Sequence, residues 1–301
     1  MLLTVNEDYY GEKGVYKNVE YRVISDPGAQ EVAFKNGEIN LFRATDVDTL
    51  NSYKDDKNYK VYSMPEGRIN YLTLNGQNPT TKDIKAREAI IKALNIPEIV
   101  KGAYDSDEIA TPATGIYHDQ DIYYNKDIKN YQQDLETAKK LIDETGLKNK
   151  MLKIVYNNAR AGIKESDIMV NKQLAEVGIK SELVAMDPAG FGKALFFEPN
   201  WDIAFNGYAS NGNERYTFWL TPGNPMSGNS SLTPEIGELW TKADTETDKA
   251  KRQENYDKVL TKIKDQYTMV PVSTTKSVMI TNVDNDVDLT KFLTRYFVKI
   301  Y

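Results

Sequence analysis

The alternation of strand-like and helix-like segments over residues 152–208 constrains the fold of this chain most. β-Branched and aromatic residues predict three strands, at 152–156, 179–186 and 201–208. Two helices separate these strands: the first carries Val170, Leu174 and Val177 on one side, and the second is the short segment 191–197. This alternation favours right-handed βαβ units and a parallel sheet, and hence an α/β fold.

The rest of the chain adds elements of the same two kinds. Asp26 and Pro27 predict the start of a helix, because Asp caps a helix and Pro fits its first position. That helix is predicted to end at Asn36 and Gly37, where glycine suits a left-handed terminus. The other predicted elements are strands at 19–24, 39–42 and 71–74, helices at 82–94, 234–243 and 249–266, and an extended segment at 269–280.

Two lobes are expected from the way these elements are grouped. The stretch 105–115 is rich in Asp, Ser, Thr and Pro and is interpreted as a crossing between lobes, with a second crossing near Pro271. Residues 1–108 then form lobe I, residues 109–270 form lobe II with its βαβ units, and residues 271–301 return to lobe I. Two lobes joined by two crossings leave a cleft, and small ligands bind in such clefts.

Composition excludes several classes of function. The net charge is −6 and the pI about 5.1, without the clustered Lys and Arg of a nucleic-acid-binding protein. With no cysteine, the chain has no thiol nucleophile and no disulfide, and its one histidine, His118, is interpreted as a surface residue of a polar loop. We therefore predict no catalytic residue, no metal site and no cofactor, and a protein that is not an enzyme.

A candidate binding site follows from the ends of the predicted strands. In parallel α/β sheets, ligands bind outside the carboxyl ends of the strands. Glycine lets a backbone approach a ligand, Asn offers hydrogen-bond donors and acceptors, and aromatic faces stack on apolar groups. The loop after the third strand combines these residue types. We predict that ligand contacts come from this loop, from the end of the first strand and from the first crossing: Asn206, Gly207, Tyr208, Ser210, Asn211, Asn213, Trp219, Asn157, Thr111 and Thr114.

The order of short motifs resembles the family-5 extracellular solute-binding proteins, which include oligopeptide- and dipeptide-binding proteins of ABC importers. The chain is similar to the family pattern N-x-D-Y-W/Y-G at 6–11, to F-R-V-I-x-D at 21–26 and to G-E-x-D at 37–40. Further on it is similar to Y-L-x-F-N at 71–75, L-x-x-I-G-I-K at 174–180 and F-D-L-A…G-W at 201–208. Each motif alone is weak, but the motifs occur in the order of the family.

The resemblance implies a type II periplasmic-binding-protein-like fold of two lobes, with mixed sheets flanked by helices. It also implies a chain truncated at its N-terminus, because the family's signal and the first part of lobe I would lie upstream of Met1. The implied function is to capture peptides between the lobes and deliver them to a membrane permease. The implied location is extracellular, as a lipid-anchored protein of a Gram-positive-like surface, or periplasmic.

One position departs from the family pattern. The peptide-binding members carry an Asp after the Gly-Trp pair that pairs with the free amine of the peptide, and Asn211 matches it here. Glu214 is an alternative partner for that amine. Two other functions stay open: an oligosaccharide receptor of the same family, and a hydrolase that uses two carboxylates. A nickel receptor is less favoured, because the chain has one histidine and no cysteine.

Overall fold

The computed structural model describes residues 1–11, 16–119, 123–198, 200–209 and 234–283. The chain divides into two compact units, the first of Met1–Glu66 with Lys276–Tyr301 and the second of Gly67–Thr275. Strands β4 (Lys60–Leu74) and β9 (Met269–Thr281) each contribute residues to both units. The lobe boundaries predicted from the sequence fall at other residues and stay a prediction.

The described part of the first unit consists of short strands and two helices. Its elements before β4 are β1 (Leu2–Thr4), β2 (Asn18–Glu20), α1 (Pro27–Lys35), β3 (Leu41–Ala44) and α2 (Val47–Tyr53). Asp26 caps α1 as predicted, with its carboxylate 2.7 Å from the Ala29 nitrogen. Phe34 and Phe42 place helix α1 on β3, with ring centroids 4.7 Å apart, and β3 runs antiparallel to the last residues of β9.

The predicted strand at 19–24 is wrong beyond Glu20. Strand β2 ends there because its partner β1 is only three residues long, and a strand exists only where another strand pairs with it. Val23, which the β-rich composition places inside a strand, is 95% exposed. Tyr21 still exchanges backbone hydrogen bonds of 2.7 Å with Met1, but residues 22–24 have the composition of a strand and are not part of one.

The second unit is built on the predicted βαβ section. Strand β6 (Met151–Asn157) lies between β7 (Lys180–Met186) and β8 (Ile203–Ala209) and is parallel to both. Strand β4 runs antiparallel to β8, with Tyr71 opposite Asn206, so the sheet is mixed as predicted. The strand order within this unit is β9-β4-β8-β6-β7, and β5 (Ala110–Pro112) pairs with β9.

Helices cover this sheet. They are α3 (Ile84–Lys92), α4 (Ile96–Tyr104), α5 (Leu135–Thr145), α6 (Ile163–Glu176), α7 (Pro188–Phe197), α8 (Pro234–Thr245) and α9 (Lys249–Asp265). Val155 of β6 packs with Phe191 and Leu195 of α7 in one apolar cluster. Because side chains alternate along a strand, Tyr156 points to the opposite face, and helix α6 contacts both β6 and β7. Among the described residues, no helix is long and apolar enough to cross a membrane.

Candidate ligand-binding site

A pocket of about 170 Å³ lies in the second unit where β6 and β8 end. Asn157 is the last residue of β6, and Asn206 and Gly207 are the fourth and fifth of the seven residues of β8. All three line the pocket. The structure thus brings together three of the residues predicted from the sequence, at the strand edge where the prediction put them.

The two asparagines are held by bonds from nearby backbone. Asn157 Oδ1 accepts a hydrogen bond of 2.9 Å from the Ala159 nitrogen and so shapes the loop that leaves β6. Asn206 Oδ1 accepts one of 2.8 Å from the Gly207 nitrogen. Both bonds use the carboxamide oxygen and not the nitrogen. Each side chain is half-buried at the pocket wall, which suits a group that hydrogen-bonds a polar ligand.

The threonines predicted at the crossing do not line this pocket. Thr111 lies on β5, and its hydroxyl is 2.8 Å from the hydroxyl of Thr274 on β9. The Thr114 hydroxyl is 3.1 Å from the Tyr124 hydroxyl. Each hydroxyl therefore has a partner within the second unit, and a ligand contact by either threonine stays a prediction.

Five predicted contacts fall wholly or partly outside the described residues. The backbone of Tyr208 lies in β8 opposite Ile69, but its side chain is outside the described part. Ser210, Asn211, Asn213 and Trp219 lie outside the described residues altogether, as does Glu214.

Two arginines in the pocket were missed by the sequence prediction. Arg68 stands in β4 opposite Ala209, and Arg160 stands in the loop between β6 and α6. The spacing of Arg68 and Asn70 could have indicated that both side chains lie on the same face of a strand, because residues two apart in a strand share one face. The predicted strand began only at residue 71, so this pair was not seen as part of it.

Apolar side chains complete the pocket. Phe191 and Leu195 of α7 and Phe205 of β8 are buried and line it together with Ile163, the first residue of α6. A ligand there would meet amides and guanidinium groups on an apolar wall. Among the described residues, no group of three or more His, Asp or Glu side chains is placed to hold a metal ion.

His118 differs from its interpretation as a surface residue. The residue is 5% exposed, and its Nδ1 lies 2.8 Å from the carboxylate of Asp119. It lies next to Tyr117, which belongs to the core cluster with Tyr256 and Trp240. Tyr117 belongs to the buried cluster, so the chain at this point runs through the core, and His118 is buried next to it.

A comparison with known proteins matches this chain to a protein family. The family model described as bacterial extracellular solute-binding proteins, family 5 Middle, matches residues 1–229. A candidate ABC transporter peptide-binding protein of Brucella ovis is 31% identical over 144 residues, which are 48% of this chain and 27% of that protein. The nickel-binding periplasmic protein of Escherichia coli is 22% identical over 299 residues, covering 89% of this chain and 55% of that protein.

Solved structures agree in fold. An ABC transporter substrate-binding protein of Listeria monocytogenes superposes with a TM-score of 0.86 and 27% sequence identity, over 93% of this chain and 58% of that one. The chain thus spans less than two thirds of the length of each of these three proteins.

Proposed function

The chain belongs to the family-5 extracellular solute-binding proteins, and from this premise we propose that it captures peptides and delivers them to the permease of an ABC importer. Proteins of this family are transport receptors without catalytic activity, and they are extracellular or periplasmic. Their fold is the α/β, type II periplasmic-binding-protein-like class that the sequence predicted. The attachment of this protein to the cell surface through a lipid anchor is part of the proposal.

The pocket at the ends of β6 and β8 is the observation that carries the peptide assignment. A peptide backbone presents alternating donors and acceptors, and the carboxamides of Asn157 and Asn206 can meet both. The apolar wall of Phe191 and Phe205 suits a peptide side chain. The peptide-binding name of the Brucella ovis relative supports the same assignment.

The mode of capture is proposed from the two lobes predicted in the sequence. Lobe I (1–108 with 271–301) and lobe II (109–270) would close on the peptide. Binding would shift the balance between open and closed forms, and the permease would respond to the closed form. Because Asn211 is neutral, the free amine of a peptide gains no charged partner at that position. We therefore expect peptides with free and acetylated amino termini to bind with similar affinity, and a preference for the free amine would indicate Glu214 as its partner.

A thermal-shift measurement tests the ligand class. The protein is heated with a pool of short peptides or with a pool of neutral oligosaccharides. A ligand that binds only the native state, at about 100 times its Kd, stabilises it by about 2.7 kcal/mol. That gain raises the melting temperature by several degrees for a chain of this size. We expect the rise with peptides only.

A double variant tests the site. Asn157→Ala with Asn206→Ala should reduce the rise caused by peptides, because both carboxamides are lost. Asn125→Ala is the matched control: its Oδ1 accepts a bond of 2.9 Å from the Asp127 nitrogen, the same local geometry as at Asn157, outside this pocket. A rise with oligosaccharides alone would replace the peptide by a carbohydrate, and turnover of either pool would indicate a hydrolase.

A further inference from the structure

Asn206 and Gly207 form an Asn-Gly pair in the wall of the pocket. We infer that this pair is a modification site, at which the neutral amide of Asn206 deamidates spontaneously to a carboxylate. The reaction needs water but no ligand and no enzyme. It is therefore independent of the peptide assignment.

The backbone nitrogen of Gly207 is the nucleophile of this reaction. It attacks Cγ of Asn206, and the carboxamide nitrogen leaves as ammonia, taking up the proton that the backbone nitrogen loses. The product is a cyclic imide, which water then opens in one of two ways. Cleavage of the new bond gives an aspartate at this position, and cleavage of the original peptide bond gives an isoaspartate, whose main chain runs through the side-chain carboxyl.

The Gly207 nitrogen is held beside the group that it attacks. It donates a hydrogen bond of 2.8 Å to Asn206 Oδ1, and the attacked atom, Cγ, is bonded to that oxygen. Two groups that are kept this close react much faster than groups that must first find each other. Because residue 207 is a glycine, no side chain hinders the approach of its nitrogen.

Strand β8 is paired along only one of its edges at this position. Its pairing with β6 ends with Tyr156 opposite Phe205, so Asn206 is the first residue beyond that ladder. On the other edge β8 stays paired with β4, with Tyr71 opposite Asn206. The attack requires a rotation about the bond between Cα and the carbonyl carbon of Asn206. That rotation disturbs one ladder here, and local opening costs less at the end of a pairing than inside it.

Two other Asn-Gly pairs in the described ranges are held differently. The nitrogen of Gly37 donates to the Phe34 carbonyl at 3.0 Å, where the end of α1 holds it away from the Asn36 side chain. Asn75 is fully buried, and its Oδ1 accepts a bond of 3.0 Å from the nitrogen of Gln77, one residue beyond the glycine. These two pairs serve as internal standards, because they have the same two residue types in other surroundings.

Deamidation would change the wall of the pocket. None of the described residues that line it is acidic, so the product would introduce the first carboxylate among them. A carboxamide donates and accepts hydrogen bonds, whereas a carboxylate only accepts them. The isoaspartate product also adds an atom to the main chain of β8 and shifts the following residues relative to β4. An aged protein would thus present a different binding surface from a fresh one.

Ageing of the full-length protein in mildly alkaline buffer tests this site, since the attacking nitrogen must lose its proton. The buffer is made in water enriched in the heavy isotope of oxygen, which marks each carboxylate formed by hydrolysis. Digestion in ordinary water leaves any later conversion unmarked. Peptide mass spectrometry then follows Asn36, Asn75 and Asn206 in one sample. Fragmentation separates position 206 from the Asn-Gly pair at 211–212, which lies outside the described residues.

We expect Asn206 to convert about tenfold or more faster than Asn36 and Asn75 in the folded protein, because its nucleophile is held in place. In urea the three sites should convert at similar rates, since each is followed by a glycine. Asn206→Gln is the matched variant: it keeps an amide, but the longer side chain closes the imide ring far more slowly. The label should disappear from position 206 in this variant and stay unchanged at the other two sites.

Two results would overturn the deamidation site. One is conversion of Asn206 no faster than that of the other two asparagines in the folded protein, and the other is an equally large difference in urea, which would remove the fold as its cause. Neither result depends on a ligand. A protein that converts Asn206 first but binds no peptide would keep the site and lose the proposed function. A peptide receptor whose Asn206 stays intact would do the reverse.

Discussion

The burial of the Asp167 side chain lowers the stability of the folded protein. It is fully buried on α6, and neither carboxylate oxygen has a hydrogen-bond partner among the described residues. Burial raises the pKa of this carboxyl well above its ordinary value. Tyr156 on the neighbouring strand is close enough to respond to it: burial raises the pKa of Tyr156, and a charge on Asp167 would raise it further.

The raised pKa predicts how stability changes with pH. In the unfolded chain this carboxyl ionises near pH 4. In the folded chain it stays protonated to a higher pH, so native stability falls as pH rises above about 4, up to the folded pKa. Asp167→Asn removes the ionisation but keeps the shape. We expect the variant to gain stability relative to the natural protein between pH 4 and pH 8, by about 1.4 kcal/mol for each pH unit that separates the unfolded from the folded pKa.

Urea unfolding of both proteins at pH 4 and at pH 8 measures this difference. Asp143→Asn is the control, since the carboxylate of Asp143 is 63% exposed and pairs with Lys148. A difference between Asp167→Asn and the natural protein that is equal at the two pH values would contradict a raised pKa.

At the scale of the elements, helix α6 depends on the glycine that precedes it. Gly162 has a φ of +75°, which only glycine adopts without strain, and its carbonyl accepts bonds from the nitrogen and the hydroxyl of Ser166. A Cβ here would lie 2.1 Å from Cε1 of Tyr104, whose ring packs over the backbone from the end of α4. Gly162 therefore fixes both the start of α6 and its contact with α4.

Gly162→Ala should destabilise the protein by about 2–4 kcal/mol, the sum of left-handed strain and displacement of a buried ring. Gly146→Ala is the matched control, because Gly146 also has a positive φ of 69° but no atom within 4 Å of its would-be Cβ. The Gly146→Ala variant should lose only about 1–2 kcal/mol of stability. If thermal or urea unfolding shows the same loss of stability for both variants, the ring of Tyr104 moves aside without an energetic cost.

The same elements show what the sequence could predict. The three parallel strands and the two helices between them, at 151–209, were predicted within a few residues. The spacing of the apolar residues, the β-branched composition of the strands and the glycine that ends a helix all agree there. Helices α4 and α5 were not predicted, although Asn95 with Pro97 and Asp134 mark their starts. Strand β4 was predicted at less than half its length. Its first half carries Pro65 and Gly67, residues that local rules exclude from strands.

The candidate site was predictable only where it follows from strand order. Asn157 ends β6, and Asn206 and Gly207 were predicted to lie near the end of the neighbouring parallel strand, so the rule for parallel sheets brings these residues together. Arg68 could not be placed by that rule, since it enters on an antiparallel strand from a distant part of the chain. Arg160 lies in an irregular loop, where spacing gives no direction for a side chain.

At the scale of the whole molecule, nickel binding can be tested, because one relative is the nickel-binding periplasmic protein of Escherichia coli. The chain has one histidine and no cysteine, and no metal cluster is found in the described ranges. Borderline metals such as nickel prefer imidazole ligands. We expect nickel chloride to show no saturable binding by calorimetry. Micromolar binding of nickel, competed by peptide, would move the protein to the nickel branch of the family.

The burial of His118 has a practical consequence. Since it is the only imidazole in the chain, its ring protons give one set of NMR signals that needs no assignment by mutagenesis. A reagent that acylates imidazole would reach it only when the structure around this buried side chain opens. The rate of that modification therefore reports local opening in this region under native conditions, and the chain carries its own spectroscopic and chemical probe.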